Sequence, residues 1–510
     1  MPYDADVIVV GSGAGGATLA YACARAGKSV FLLERGHPYA ASPLSIAGEN
    51  GVTGAVHNEQ AMLIEKKPYD DRKIDVNGSA LRLYMGGVLG GGTALYGAAL
   101  MRPSPQDFHP GKSYPDRLPR AQWDWPVGYD DLEPHYTQAE ELFGVSGAND
   151  DDFGPIPKPR AGFPNRPLPL HPVNERLITA NKRQGLRPFR LPLAIDPARC
   201  LKCNVCPGYL CPTGARRSSS HLLNEAASAG WPVRVVSGME VEQISWTGNG
   251  NADGISALER GTGKRFSFRA RRYVLGAGAI GSPLILLRSG VNHSLVGRNY
   301  MMHLSPIVVG IFGQRIGADE GFVKQVGFAD YYFGAKDYAH KLGLVQSLPV
   351  PGLLMLAKSA SRWLPGFVLQ FLRKRMLPLV GIIEDLPNPD NRVSWGTNGQ
   401  PCLIHRFAEY DRERGRYLAG LISMLLRQSG ALVCISSEFA SEEHVAHQCG
   451  TVRFGVTPEH AVLDRECRLF GHPNVFVVDG SFMPTSLGVG PALTIIANAL
   501  RVGNILAHEV

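Results

Sequence analysis

The sequence predicts an α/β fold with a Rossmann-like dinucleotide-binding unit at its N-terminus. Three observations predict it: a strand–turn–helix–strand at the start, glycine clusters that recur far along the chain, and a C-terminal apolar strand ending in aspartate. At 510 residues the chain has the length of roughly three domain-sized units. Its 59 glycines suit a fold with many tight turns and close approaches of backbone to ligand.

The first unit reads "DVIVVGSGAGGATLAYACARAGKSVFLLERG". An apolar run, Val7 to Val10, has the character of a buried parallel strand. It leads into Gly11-x-Gly13-x-x-Gly16 and a small-residue helix, and Glu34 closes the second strand 18 residues after Gly16. Gly11 permits the tight turn, Gly13 lets the backbone approach a pyrophosphate, and Gly16 lets helix and strand pack closely. The helix N-terminus offers free N–H groups to phosphate, and Glu34 is placed to bind a ribose diol.

Further glycine clusters lie at "YMGGVLGGGTALYGAALMRPSPQDF" (84–108) and "YVLGAGAIGSPLILLRSGV" (273–291). Later come "IIEDLPNPDNRV" (382–393) and a tail containing "HVAHQCGTVRFG" and "NVFVVDGS". In this order, over nearly the whole chain, these segments resemble the glucose–methanol–choline (GMC) oxidoreductases, and most nearly the large subunits of flavin-dependent sugar and sugar-acid dehydrogenases.

The resemblance implies noncovalent FAD and oxidation of an alcohol, CH–OH to C=O. It sets Gly91, Gly92 and Thr93 against the flavin and its pyrophosphate, and Val241 at the adenine. Asp479, followed by Gly480, lies near the pyrophosphate or ribityl chain unless it only caps a turn. The helix that begins after Gly490 and Pro491 points at the flavin's pyrimidine end, where its dipole favours negative charge. Relatives that bond FAD covalently use a His near position 96, where this chain has Tyr96.

His447, in His-x-x-Gly-Thr, is the expected base, because imidazole titrates near working pH. His444 is a neighbour without the motif position. The family pairs its His with an Asn or a second His, but Gly490 stands in that place here. The resemblance also implies an α/β FAD domain from residues 1–110, 195–300 and 450–510. A substrate domain on a mostly antiparallel sheet then comes from 111–194 and 301–449.

Four of the nine cysteines, Cys200, Cys203, Cys206 and Cys211, fall in "RCLKCNVCPGYLCPTGAR", followed by Pro212. That spacing differs by one residue from the bacterial ferredoxin run. It predicts an Fe–S cluster, 3Fe–4S or 4Fe–4S, with a zinc clip and free thiols or disulfides as the other readings. A cluster beside a flavin passes single electrons onward, which predicts a dehydrogenase serving a one-electron acceptor protein or quinone. An FAD/Fe–S electron carrier or redox sensor without alcohol chemistry and an oxygen-using alcohol oxidase are the alternatives.

The remaining features set limits. The +7 net charge comes from 52 basic and 45 acidic residues, largely intermixed. The runs at 269–272 and 373–375 lack the pattern of an RNA-binding module, so no nucleic-acid partner is expected. The start shows no secretory signal pattern and no stretch of 18 apolar residues occurs, so the expected location is cytoplasmic. The segment 351–383, with Lys358, Arg362, Trp363, Phe367 and Arg373 to Arg375, reads as a lid or packing segment. Peripheral membrane contact is its second reading.

Overall fold

The computed structural model describes residues 3–37, 59, 60, 62–359, 364–438 and 443–509; Arg362 and Trp363 lie outside them. A six-stranded sheet orders Arg468–Leu469, His472–Val477, Ala270–Leu275, Ala5–Val10, Val30–Glu34 and Val233–Ser237 side by side. All its pairings are parallel except the one between Arg468–Leu469 and His472–Val477. Parallel strands need cover on both faces, and Val7, Ile8, Val9, Leu32 and Val274 are accordingly at most marginally accessible.

Val10 pairs with Leu275, and Leu275 with Val477. Three strand ends therefore deliver Gly11, Gly276 and Asp479 side by side, at the edge where open α/β sheets bind ligands. The helix Ala14–Arg25 packs on the C-terminal helix Ala492–Glu509 through small residues. A Cβ at Gly503 would stand 2.8 Å from that of Ala22, so glycine sets how closely the helices approach.

The second six-stranded sheet is antiparallel throughout: Ala431–Ser437, Ile307–Phe312, Met376–Ile382, Leu344–Ser347, Val326–Phe328 and Phe189–Arg190. The mixed α/β class expected from sequence is the class observed. Its own core gathers Leu304, Val308, Leu377, Leu379, Leu418, Ile422 and Leu425 against the helix Glu409–Gln428. The other face of this sheet turns Ile307, Val309, Val380 and Ile382 toward a large cavity.

The basic, apolar middle forms two short helices, Leu353–Ser359 and Gly366–Arg373, before the strand Met376–Ile382. Leu353, Met355 and Leu356 line the cavity, whereas Phe367 and Phe371 are exposed. Among the described residues no helix is long and apolar enough to cross a membrane.

Candidate active site

One cavity of about 2010 Å³ runs from the strand ends of the parallel sheet to the face of the antiparallel one. Ligand pockets for single small molecules hold roughly 300–1,000 Å³, so there is room for a dinucleotide and a second molecule. Gly11, Gly13, Glu34, Gly91, Gly92, Thr93, Val241, Asp479, Gly480, Gly490 and Pro491 all line it, as does His447. Gly16 stands behind the wall: a Cβ there would strike the carbonyl of Gly11. Gly11 has φ +92°, and a Cβ on it would lie 2.5 Å from the oxygen of Gly276.

The two glycine loops are tied together by hydroxyls. Gly90 N–H donates to Ser12 Oγ (2.9 Å), and Ser12 Oγ donates to Glu34 (2.6 Å). Glu34 also accepts from the Ser12 and Gly36 N–H groups at 2.8 and 2.6 Å. Thr93 donates to the Gly90 carbonyl and accepts from Ser219 N–H, while Ser219 Oγ reaches the Ser12 carbonyl. Ser12 and Ser219 carry no motif signal, and only the fold reveals them.

A cofactor fits this wall. A Cβ on Gly13 would have no protein atom nearer than 3.8 Å, and one on Gly92 or Gly278 none within 4 Å. These bare faces are room that a ligand can use without displacing protein. The N-terminus of the helix Ala14–Arg25 adds unpaired N–H groups beside them. Asp479 is fully engaged by protein: it accepts from Gly278 N–H (2.9 Å), Ser481 N–H (2.9 Å) and the hydroxyls of Ser282 and Ser481. Burial pushes its carboxyl above the ordinary range, against the pull of those bonds.

His447 sits at the far side, with its neighbour across the cavity wall at Gly490. A Cβ on Gly490 would be 3.3 Å from His447 Nε2, so glycine leaves that nitrogen open. His447 itself has φ +65°, a left-handed backbone uncommon for a side chain of its kind. Strain of that sort costs on the order of 1–3 kcal/mol and clusters at functional sites.

The second histidine, missed from sequence, is His303. Met301 and Cys449 exchange backbone hydrogen bonds of 3.0 and 2.9 Å as an antiparallel bridge. Two residues onward on one strand and two back on the other, His303 therefore faces His447. Their Nδ1 atoms are 3.0 Å apart, and His303 Nε2 is 2.9 Å from the Leu487 carbonyl.

A carbonyl only accepts, so His303 carries its proton on Nε2. With His303 neutral, its bare Nδ1 accepts from His447 Nδ1–H, and His447 Nε2 is left with a free lone pair. Burial, followed by the neighbouring His303, Lys324 and His444, holds His447 well below the usual imidazole range. Burial likewise lowers His303, although its bond to Leu487 pulls the other way. Both rings are thus neutral at neutral pH.

A buried ionic network backs this pair. Leu487 N–H donates to Glu384 Oε1 (2.9 Å), and Lys341 Nζ lies 2.6 Å from both Glu384 and Asp107. Tyr114 donates to Glu384 (3.0 Å), and Arg414 reaches the Tyr114 oxygen and the carbonyls of Lys341 and Glu384. Burial raises the Glu384 carboxyl, but the charge and hydrogen bond of Lys341, with Arg414 and Tyr114, outweigh it and leave it low.

The cysteine loop differs from expectation. Among the described residues no three Cys, His, Asp or Glu side chains converge to hold a metal ion. The Fe–S cluster expected at Cys200, Cys203, Cys206 and Cys211 therefore finds no support, nor does a zinc clip. The thiols are free. The guanidinium of Arg216 already organises the loop: its N–H groups donate to the carbonyls of Cys206, Tyr209, Ala94 and Tyr96. Cys211 Sγ accepts from Arg216 N–H (3.4 Å), whereas burial pushes the Cys206 thiol up to about 12. Of the four, Cys203 lines the cavity.

GMC oxidoreductase family models match residues 5–305 and 391–499. The chain is 32% identical to the 6'''-hydroxyparomomycin C oxidase of Streptomyces lividus, over 99% of this chain and 92% of that one. It is 25% identical to the fructose dehydrogenase large subunit of Gluconobacter japonicus, over 99% and 98%. The crystal structure of pyridoxine 4-oxidase from Mesorbium loti superposes with a TM-score of 0.68 at 20% identity, over 99% of each chain.

Proposed function

The chain belongs to the GMC oxidoreductase family, and from that premise we propose that it oxidises an alcohol to a carbonyl compound with His447 as the base. The observation that carries this reading is the His303–His447 pair, which leaves His447 Nε2 unprotonated and open to the cavity beside Gly490.

Segments 1–110, 195–300 and 450–510 hold the cofactor in this reading, and 111–194 with 301–449 supply the substrate side. Gly11, Gly13 and Gly92 would receive the FAD pyrophosphate, Glu34 the ribose, Val241 the adenine, and the Pro491 end of the C-terminal helix the flavin ring. Bound FAD supplies the two-electron acceptor for the carbon-bound hydrogen. Gly490 excludes any side chain from the open nitrogen, and His447 takes the hydroxyl proton there. The resulting imidazolium keeps its Nδ1–H bond to His303, whose orientation the Leu487 carbonyl fixes.

The proposed substrates are alcohol or sugar hydroxyls. One relative is named an oxidase and another a dehydrogenase, so the family relationship leaves the acceptor open. Since the expected one-electron route rested on the cluster, dioxygen is the acceptor to test first. Purified FAD-loaded protein would be mixed without air with fructose, a primary-alcohol aminoglycoside, cyclohexanol and 1-dodecanol, and flavin reduction followed. His447→Ala should slow the productive reaction by about 10²–10⁴-fold, the usual contribution of a general base. Reduction that proceeds unchanged in His447→Ala contradicts the reading. Hydrogen peroxide formed in step with carbonyl product would identify an oxidase.

A further inference from the structure

Lys324 is 5% exposed, lines the cavity, and makes no hydrogen bond or ion pair with another described residue. Most buried cations are paired, because an unpaired charge loses its hydration without compensation. The other buried lysine of this region, Lys341, shows the ordinary solution, held between Asp107 and Glu384. Lys324 has no such carboxylate.

The fold makes room for its ammonium. The three atoms that a Cβ on Gly97 would meet are all from Lys324, its Nζ first and then Cε and Cδ. Gly97 follows Tyr96 directly after the Gly91–Thr93 turn, so the ammonium lies against the glycine-rich wall. It is also close enough to His447 that its charge is among those lowering the imidazole. Lys324 and His447 both line the one cavity.

Three groups of this wall offer no free donor to an oxygen there. Gly490 has no side chain, and both ring nitrogens of His303 are engaged, by His447 and by Leu487. Tyr96 already donates its hydroxyl to the Arg217 carbonyl (2.7 Å).

We propose that Lys324 is an oxyanion-binding residue of the active site, its ammonium receiving the substrate oxygen from which His447 removes the proton. The proposal rests on the alcohol-oxidising reading given above. As the O–H bond breaks, its proton passes to His447 Nε2 and the negative charge gathers on oxygen, facing the ammonium. Bound FAD would supply the acceptor for the carbon-bound hydrogen and its electron pair, whose loss leaves C=O. The ammonium keeps its proton throughout. Burial lowers Lys324 to about 8, which leaves it charged at neutral pH.

Acetate and acetamide are the probes, one an oxyanion and the other its neutral isostere. Each would be titrated into FAD-loaded protein at neutral pH and followed by the flavin absorbance. Lys324→Met should weaken acetate about tenfold or more, the worth of a charge-assisted hydrogen bond, and shift acetamide by less than about twofold. Gly97→Ala keeps the charge but pushes it from its seat, and should weaken acetate in the same sense. It also carries the test if Lys324→Met fails to fold.

With an alcohol that reduces the wild-type flavin, Lys324→Met should lower the limiting rate by about 10²–10³-fold, as loss of an oxyanion donor does, with a smaller change in KM. Acetate binding unchanged in both variants, or equal losses for acetate and acetamide, would overturn the proposal. The two readings fail separately. Unchanged reduction in His447→Ala removes the base, whereas unchanged acetate binding in the Lys324 and Gly97 variants removes only the oxyanion role.

Discussion

Around Gly13 the cavity wall is made of backbone and short hydroxyls, with bare glycine faces turned to the ligand. Behind the wall at His447 the support is made of charge, with Lys341, Arg414, Asp107, Glu384 and Asp411 all at most 3% exposed. The first wall must admit a large anionic group closely, so side chains are removed and N–H groups left free. The second must hold one imidazole in one tautomer on a left-handed backbone, which takes a rigid support. Binding and orientation are thus built from different materials within one cavity.

The comparison is sharpest where the support is charged. Lys341→Met leaves Asp107 and Glu384 buried without their cation, and breaking a buried pair in this way costs about 3–5 kcal/mol. Chemical denaturation should show that loss, and flavin reduction should slow because Glu384 no longer holds the Leu487 peptide in place. Full stability in Lys341→Met would mean that the network is not a support.

Within the glycine wall, two substitutions of the same size should behave oppositely. A Cβ on Gly16 collides with the Gly11 carbonyl. Gly16→Ala should therefore destabilise the protein even without cofactor, by about 1–3 kcal/mol as overpacking does. Gly13→Ala meets nothing nearer than 3.8 Å. It should leave the cofactor-free melting temperature unchanged and lower the FAD content of purified protein. Equal destabilisation by both would erase the distinction between packing glycine and binding glycine.

What could be read from sequence follows the same division. The Gly11–Gly16 turn, Glu34 and His447 stand out in the sequence because each is marked by short-range spacing within one stretch of chain, and the fold sets all but Gly16 on one cavity. His303 is not, since its role arises only when Met301 bridges Cys449. Lys324 is invisible for a related reason: a lysine becomes informative only once the fold denies it a carboxylate. The cysteine run's Fe–S reading is left without support, because spacing states how near thiols are along the chain and not whether three of them converge on one ion. Here Arg216 draws the loop's carbonyls together instead.

The central claim is that His447 is a neutral base whose free nitrogen is set by His303, and the pH dependence of anaerobic flavin reduction tests it most directly. A base must be unprotonated to act, and burial with the neighbouring His303 and Lys324 lowers this one. Activity should then persist as pH falls through about 6.5, the ordinary imidazole value, and decline only below it. His303→Asn, which removes one of those influences, should move the acid limb upward toward that value. An acid limb at or above 6.5 in the unmodified protein, unmoved by His303→Asn, would contradict the account.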